Sequence, residues 1–383
     1  MSQNKSILHL CTYTWEVGGP SSVIYNHASY QSSLGINNSV LSTFDVNHHP
    51  YTQNSFISVF YFSRNILSAI LPDFSLGLLK WYYAHYASFD IIQIHGLWNF
   101  GSILPFLFPK KSRIIVTIHG FLDPYVLKNS RLKKNIFWFL FHRWQLKKAD
   151  IIHVMSEDEQ EILKNLFPNL LDKIRLIPNG YTPPISSEEP EVEFKMRIER
   201  FLEKSTCTFL FLGRLHEKKG ISILIQAFKN VMQEGKTNVK LIIAGPDDGY
   251  LSYVKSQIDG VEGILLLPAV TGNNKNYLLK EVDIFLLPSY SEGFSVAALE
   301  AIAYGKACIF SQHVGFSTLA HQNNAALICD TNEISLQEKM EYLCNNANLR
   351  ADLGREAKLL YEANFTTEVV GKQFLEKVVN DEQ

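Results

Sequence analysis

Short apolar runs punctuate this chain at regular intervals, and longer segments of helical periodicity separate them. In the first half the runs fall at 6–12, 38–43, 90–94, 113–118, 150–154 and 174–177, with helical segments at 21–33, 64–86, 131–148 and 157–166. In the second half strands are expected at 207–212, 239–244, 263–267, 282–287, 306–310 and 326–329, and helices at 220–233, 250–258, 273–280, 295–304, 334–345 and 350–362. The strands are apolar throughout rather than alternating. That is the pattern of parallel sheets covered on both faces by the intervening helices, an α/β architecture.

Tyr181-Thr-Pro-Pro-Ile-Ser-Ser-Glu-Glu-Pro190 is the one Pro/Ser/Glu-rich break and reads as a linker. A chain of 383 residues suits two domains. The expectation is two doubly wound, Rossmann-like domains, 1–183 and 191–363, facing each other across a cleft. Ligands of such sheets sit at the carboxyl ends of the strands. Phe365 to Val379 reads as an amphipathic helix that either packs locally or crosses back to the first domain.

Composition narrows the choice of partners. The net charge of −2 gives no bulk attraction to nucleic acid. Charge is local: between Lys110 and Lys148 ten Lys/Arg stand against Asp123 alone, so this segment carries +9 and the remainder −11. Within it, Arg131 to Lys148 reads RLKKNIFWFLFHRWQLKK. Basic flanks around aromatics fit a helix lying on an anionic membrane surface, and equally a helix whose aromatic side packs on a sheet. No apolar run approaches the roughly 20 residues needed to cross a bilayer. The five scattered cysteines include no C-x-x-C and suit a reducing cytosol. Residues 1–5 are too short and polar for a signal peptide.

Several chemistries lack their signatures. No G-x-G-x-x-G follows a strand, and Gly235-Lys-Thr237 has Asn230 where a phosphate loop needs glycine. No Asp-x-Asp offers a clamp for a metal-bridged diphosphate. No H-E-x-x-H or G-x-S-x-G supports a protease or hydrolase.

Two segments stand out instead. Glu292-Gly-Phe-Ser-Val-Ala-Ala-Leu-Glu300 runs from a loop after an expected strand into an Ala-rich helix. Such a helix start presents backbone N–H groups to an anion, and here a carboxylate is placed beside it. A carboxylate only accepts hydrogen bonds, which suits the hydroxyls of a sugar or ribose. The bland reading of Glu300 is the wet side of an amphipathic helix, but a carboxylate in so apolar a helix is costly without partners. Leu212-Gly-Arg-Leu-His-Glu-Lys-Lys-Gly220 follows the first strand of the second domain. Arg214 and Lys219 can neutralise a diphosphate without a metal, although a solvated basic loop would look similar.

Taken in order, Gly18-Gly-Pro20, Thr117-Ile-His119-Gly120, Ile177-Pro-Asn-Gly180, Gly213-Arg214 with Lys219-Gly220, Ile243-Ala-Gly-Pro246 and Glu292 to Glu300 resemble the family 4 glycosyltransferases, retaining enzymes of the GT-B fold. The resemblance spans residues 6–330. It implies that Arg214 and Lys219 hold the donor phosphates. Glu292 and the N–H groups of Gly293 and Phe294, with Ser295 opening the helix, would hold the transferred sugar. Glu300 would take the ribose, and Val270 would lie near the base. Gly18 and Gly19 would let the first domain's backbone approach the diphosphate. His119 would sit near the sugar and the acceptor, with His95 and Trp98 of His-Gly-Leu-Trp on the acceptor side. For both histidines the plain alternative is a satisfied core residue at a strand end. Pro268, Ala325 and the missing acid after Val314-Gly-Phe-Ser-Thr-Leu depart from the family pattern.

The implied reaction moves a sugar from a nucleotide-diphosphate sugar, a UDP-sugar by family frequency, to a hydroxyl of a glycan or lipid-linked acceptor. The anomeric configuration is retained and no metal or other cofactor is needed. His-Gly-Leu-Trp and His-Gly-Phe-Leu-Asp-Pro-Tyr also resemble family members that build bacterial surface polysaccharide. That likeness implies a lipid-linked acceptor; with the cysteine usage and the basic aromatic segment, the expected location is cytoplasmic, peripheral on the inner face of the membrane. The competing readings are a sugar-nucleotide epimerase of the same fold and a non-catalytic partner subunit that binds the nucleotide sugar.

Overall fold

The computed structural model describes residues 5–12, 19–44, 56–97, 99–120, 141–184, 189–233 and 238–380. It divides into two compact units, Met1–Gly180 with Thr366–Gln383, and Tyr181–Phe365. Tyr181, expected to open the linker, is buried in the second unit.

The first unit is built on a seven-stranded parallel sheet. Its strands are β1 (Ser6–Leu10), β2 (Asn37–Phe44), β3 (Ile57–Ser63), β4 (Ile91–His95), β5 (Arg113–Thr117), β6 (Ile151–Val154) and β7 (Ile174–Leu176), in spatial order β3-β2-β1-β4-β5-β6-β7. The second unit has six parallel strands: β8 (Cys207–Leu212), β9 (Val239–Ala244), β10 (Ile264–Leu267), β11 (Ile284–Leu287), β12 (Ala307–Ser311) and β13 (Leu327–Cys329), ordered β10-β9-β8-β11-β12-β13. In each sheet the order reverses once, between β1 and β4 and between β8 and β11. A doubly wound sheet leaves a crevice at that point, where the connections depart to opposite faces.

The central strands are buried along their whole length, as Cys-Thr-Phe-Leu-Phe-Leu of β8 and Ile-Phe-Leu-Leu of β11 show. Two expectations for the first unit need correcting. β3 is an edge strand that the apolar runs did not reveal, because most of its positions are only half-buried. The segment 64–86 is not one helix. Pro72 and Asp73 interrupt it, Asp73 has φ +63°, and the α-helix begins at Leu76 behind a Ser75 cap.

The chain returns to the first unit at its end. Helix Thr367–Phe374 and the turn Leu375–Val379 place Val370, Phe374, Val378 and Val379 against Ile7, Ile36, Ile91, Ile115, Ile151 and Ile177. Gly180 allows this return, because a Cβ there would lie 3.1 Å from the Thr367 backbone and 3.2 Å from Val370. Gly180 is thus a close-packing point.

Among the described residues no helix is long and apolar enough to cross a membrane. Residues 121–140, which include most of the basic aromatic segment, lie outside the described residues. Its remaining part, 141–148, is helical. His142, Gln145 and Leu146 there are buried, while Arg143, Trp144, Lys147 and Lys148 are exposed.

Candidate functional site

The second unit gathers its chemistry at the β8/β11 crevice. The loop after β8 carries Arg214 and Lys219, and the loop after β11 carries Glu292 to Ser295. Two glycines pack the loop after β8 against its neighbours, Gly220 against the loop after β11 and Gly245 from the loop after β9. Gly220 has φ +69°, and a Cβ there would sit 2.0 Å from the Pro288 carbonyl oxygen. A Cβ on Gly245, after β9, would sit 1.7 Å from the Gly213 oxygen. Both positions therefore exclude any side chain. Tyr290 N–H then donates to the Lys218 carbonyl at 2.8 Å, tying the two loops directly.

Within this frame Lys219 forms an ion pair with Glu292, the side chains being only 10% and 13% exposed. The family resemblance implies separate tasks for these two residues, and the structure brings them into contact. Ser295 caps helix Val296–Ala303, its hydroxyl accepting from Ala298 N–H at 3.3 Å. The Phe294 ring turns into an aromatic cluster with Phe316 and Phe365 at centroid distances of 5.2 and 5.8 Å. That anchors the backbone of Gly293 and Phe294 on the core.

Glu300 is buried, as its apolar helix requires, and is not on a wet face. Its Oε1 accepts from Lys275 Nζ at 2.6 Å. Lys275 belongs to helix Gly272–Glu281, which follows β10 and the half-buried Val270. Sequence reading missed Lys275, since nothing in the pattern connects two residues on separate helices. Burial pushes the phenols of Tyr181 and Tyr304 upward, and the Glu300 charge beside them adds to the effect. Arg214 is different: its side chain is half exposed and pairs with Asp248 at 2.6 Å, not with the Lys219 cluster. Neighbouring Asp247 accepts from the N–H groups of Gly249, Tyr250 and Leu251 and so starts helix Leu251–Ile258.

The first unit holds a second polar cluster at its own crevice. His9, His95 and His119 come from the carboxyl ends of β1, β4 and β5. His9 Nδ1 lies 3.0 Å from His95 Nε2, and His95 Nδ1 lies 2.9 Å from His119 Nε2. His9 Nε2 meets Asn38 Oδ1 at 3.1 Å. Burial lowers His9 to about 4, against a smaller upward pull from the Asn38 bond, and lowers His119 to about 3 with His153 adding to the effect. His95 is held well below its ordinary value, by burial first and then by the neighbouring histidines. These rings are neutral at pH 7. His119 itself has φ +55° and is followed by Gly120 at φ +76°. A left-handed non-glycine residue is strained backbone of the kind that collects at functional sites.

Glu159 fixes that turn. It stands where a capping box would fold back on its own helix, behind the Ser156 cap. Its carboxylate instead accepts from Met155 N–H at 2.8 Å and from Gly120 N–H. His9, His153 and Glu159 were not singled out from sequence. The available signal was a lone polar residue near the carboxyl end of an apolar strand, as in Leu-His-Leu of β1 and Ile-Ile-His-Val of β6. Gly19 opens helix Gly19–Ser33. Gly18 and Trp98 lie outside the described residues.

Comparison with known proteins completes the picture. Residues 17–183 match the profile described as Glycosyltransferase Family 4, and residues 193–360 match Glycosyl transferases group 1. A D-rhamnosyltransferase, WbpZ of Pseudomonas aeruginosa, is 26% identical over 94% of this chain and 92% of its own. A capsular polysaccharide biosynthesis glycosyltransferase, CapM of Staphylococcus aureus, is 24% identical over 70% of this chain and 74% of its own. Among solved structures, the sucrose-phosphate synthase of Thermosynechococcus elongatus superposes with a TM-score of 0.80 at 16% identity, covering 97% of this chain and 98% of that one. HepE of Anabaena in complex with UDP-glucose gives 0.72 at 16% identity, covering 98% and 99%.

Proposed function

The chain belongs to the family 4 glycosyltransferases and has their GT-B fold of two Rossmann-like units, and from that premise we propose that it transfers a sugar from a UDP-sugar, with retention and without a metal, to a hydroxyl of a surface-polysaccharide intermediate. The observation that carries this reading is the pair of carboxylates, Glu300 buried and Glu292 half-buried, each matched to a lysine, at the β8/β11 crevice. Ions are placed there against their desolvation cost, which a merely structural role does not require.

In this reading Glu300 accepts the ribose hydroxyls and Glu292 the hydroxyls of the transferred sugar. Lys219 and Arg214 neutralise the diphosphate as it leaves. A phosphate oxygen of the leaving group takes the proton of the acceptor hydroxyl, which attacks the same face. The chain's part in catalysis is positioning and electrostatic stabilisation. The UDP assignment is supported by HepE, whose structure holds UDP-glucose. The polysaccharide acceptor is supported by CapM, and a lipid-linked form by the basic segment 131–148, through which the protein would sit peripherally on the cytoplasmic face of the membrane.

A thermal-shift screen of UDP-, GDP- and ADP-sugars tests the donor, since a ligand of the folded state raises its stability. A shift confined to GDP- or ADP-sugars overturns the uridine assignment. Nucleotide release that does not depend on added acceptor counts against transfer. Vesicle flotation at low salt tests the membrane contact, and absence from the anionic-lipid fraction removes it.

A further inference from the structure

The three histidines at the β1, β4 and β5 ends form a chain whose hydrogen-bond direction is fixed from one end. The Ile36 carbonyl can only accept, so the Asn38 amide donates to it through Nδ2 at 3.3 Å and turns Oδ1 toward His9. His9 must then donate through Nε2, which leaves its Nδ1 as an acceptor. His95 donates to that nitrogen through Nε2 and accepts through Nδ1. His119 donates to His95 through Nε2. A neutral imidazole has one N–H and one lone pair. The three protons are thus all committed, and one lone pair remains, on Nδ1 of His119. Among the described residues that nitrogen has no partner.

We propose that Asn38, His9 and His95 are positioning residues that lock His119 in a single tautomer, with Nδ1 as a hydrogen-bond acceptor, so that whatever binds there must offer a hydrogen-bond donor, such as a sugar hydroxyl. Burial favours the neutral rings that this scheme needs, and a proton added to His9 or His95 would put two donors face to face. The turn that carries His119 is held separately by Glu159, so orientation of the backbone and polarity of the ring have different sources. The placing of His119 beside a sugar rests on the function proposed above, but the tautomer lock does not.

The test is spectroscopic. In protein labelled with 15N-imidazole histidine, the ring nitrogen shifts of His119, assigned by their loss in His119→Gln, report which nitrogen carries the proton. The wild type should show a protonated Nε2 and a bare Nδ1. A protonated Nδ1, or a mixture of tautomers, overturns the proposal without any variant. His95→Phe removes both hydrogen bonds and should mix the tautomers. His95→Gln can donate with its NH2 and accept with its carbonyl oxygen, and should restore the wild-type shifts. Asn38→Leu, at the far end, should also mix them. Shifts unchanged in folded His95→Phe and Asn38→Leu overturn the proposal. A protein with the expected shifts and no turnover of any sugar nucleotide overturns the function instead.

Discussion

Two crevices in this molecule have the same topology and opposite electrostatics. At β8/β11 the polar groups are ions, and the buried Glu300 and half-buried Glu292 each meet a lysine. At β1/β4 they are imidazoles kept neutral by burial and joined end to end. Both arrangements solve the problem of putting polar groups where strands end in the protein interior. Ion pairs offset desolvation by Coulomb attraction and remain able to trade partners with a charged ligand. A neutral chain avoids the desolvation of charge and specifies direction instead, because every donor is used by the next ring. Under the proposed function the second unit offers a ligand charged partners and the first an uncharged acceptor.

That contrast can be broken at four points. Removing a charge from the second unit should have the largest effect. Lys219→Ala and Glu300→Ala should each lower transfer by roughly 10²–10³-fold, the scale of losing one preorganised electrostatic contact. Acceptor-dependent nucleotide release measures this, and near-normal rates in either folded variant would sink the site assignment. Lys275→Met leaves Glu300 buried without its partner and should weaken donor binding about tenfold, a smaller loss because the ligand hydroxyls remain. Isothermal titration with the donor checks it, and unaltered affinity would make the Lys275 pair merely structural.

The neutral crevice should respond to pH rather than to single charges. His9, His119 and His153 have folded values lowered to between about 3 and about 4 from an unfolded 6.5, chiefly by burial. The unfolded chain therefore binds protons that the folded chain refuses. The stability that results is complete above pH 6.5 and is lost as pH falls toward 4. Thermal unfolding should show Tm dropping by several degrees between pH 7 and pH 5, and a flat profile across this window would show the rings to be hydrated. The smallest effect is expected at His27, also lowered to about 3 by burial and then by the neighbouring histidines. Its ring packs on Phe374 at 5.1 Å, and its buried Nε2 has no hydrogen-bond partner among the described residues. His27→Leu should change stability at pH 7 by less than about 1 kcal/mol and make the acid-side slope shallower. A loss of several kcal/mol by urea denaturation would reveal a bond to His27 that this reading lacks.

What could be read in advance depended on how local the cause was. Strands such as β8 and β11 announce themselves, because burial on both faces writes an uninterrupted apolar run. β3 does not, since an edge strand needs apolar residues on only part of its surface. Glu292, Glu300, Lys219 and Arg214 were legible from loop and helix context. Lys275 was not, because its link to Glu300 crosses between helices that follow β10 and β11. His95 and His119 were visible as strand-end residues beside glycine, with both a functional and a core reading open. Their connection through His9 to Asn38 was not visible. It requires three neighbouring strands in the order β2-β1-β4, with β5 beyond, and strand order is set by tertiary packing.

The sequence by itself determined the α/β alternation and the residue types that can hold phosphates and hydroxyls. These follow from periodicity and side-chain chemistry, which act over a few residues. Only the tertiary structure decided which lysine meets which carboxylate, that the last helix seals the first sheet, and that three distant histidines share one line of protons. Those are contacts between segments far apart in the chain, fixed by the way parallel strands stack and their loops converge.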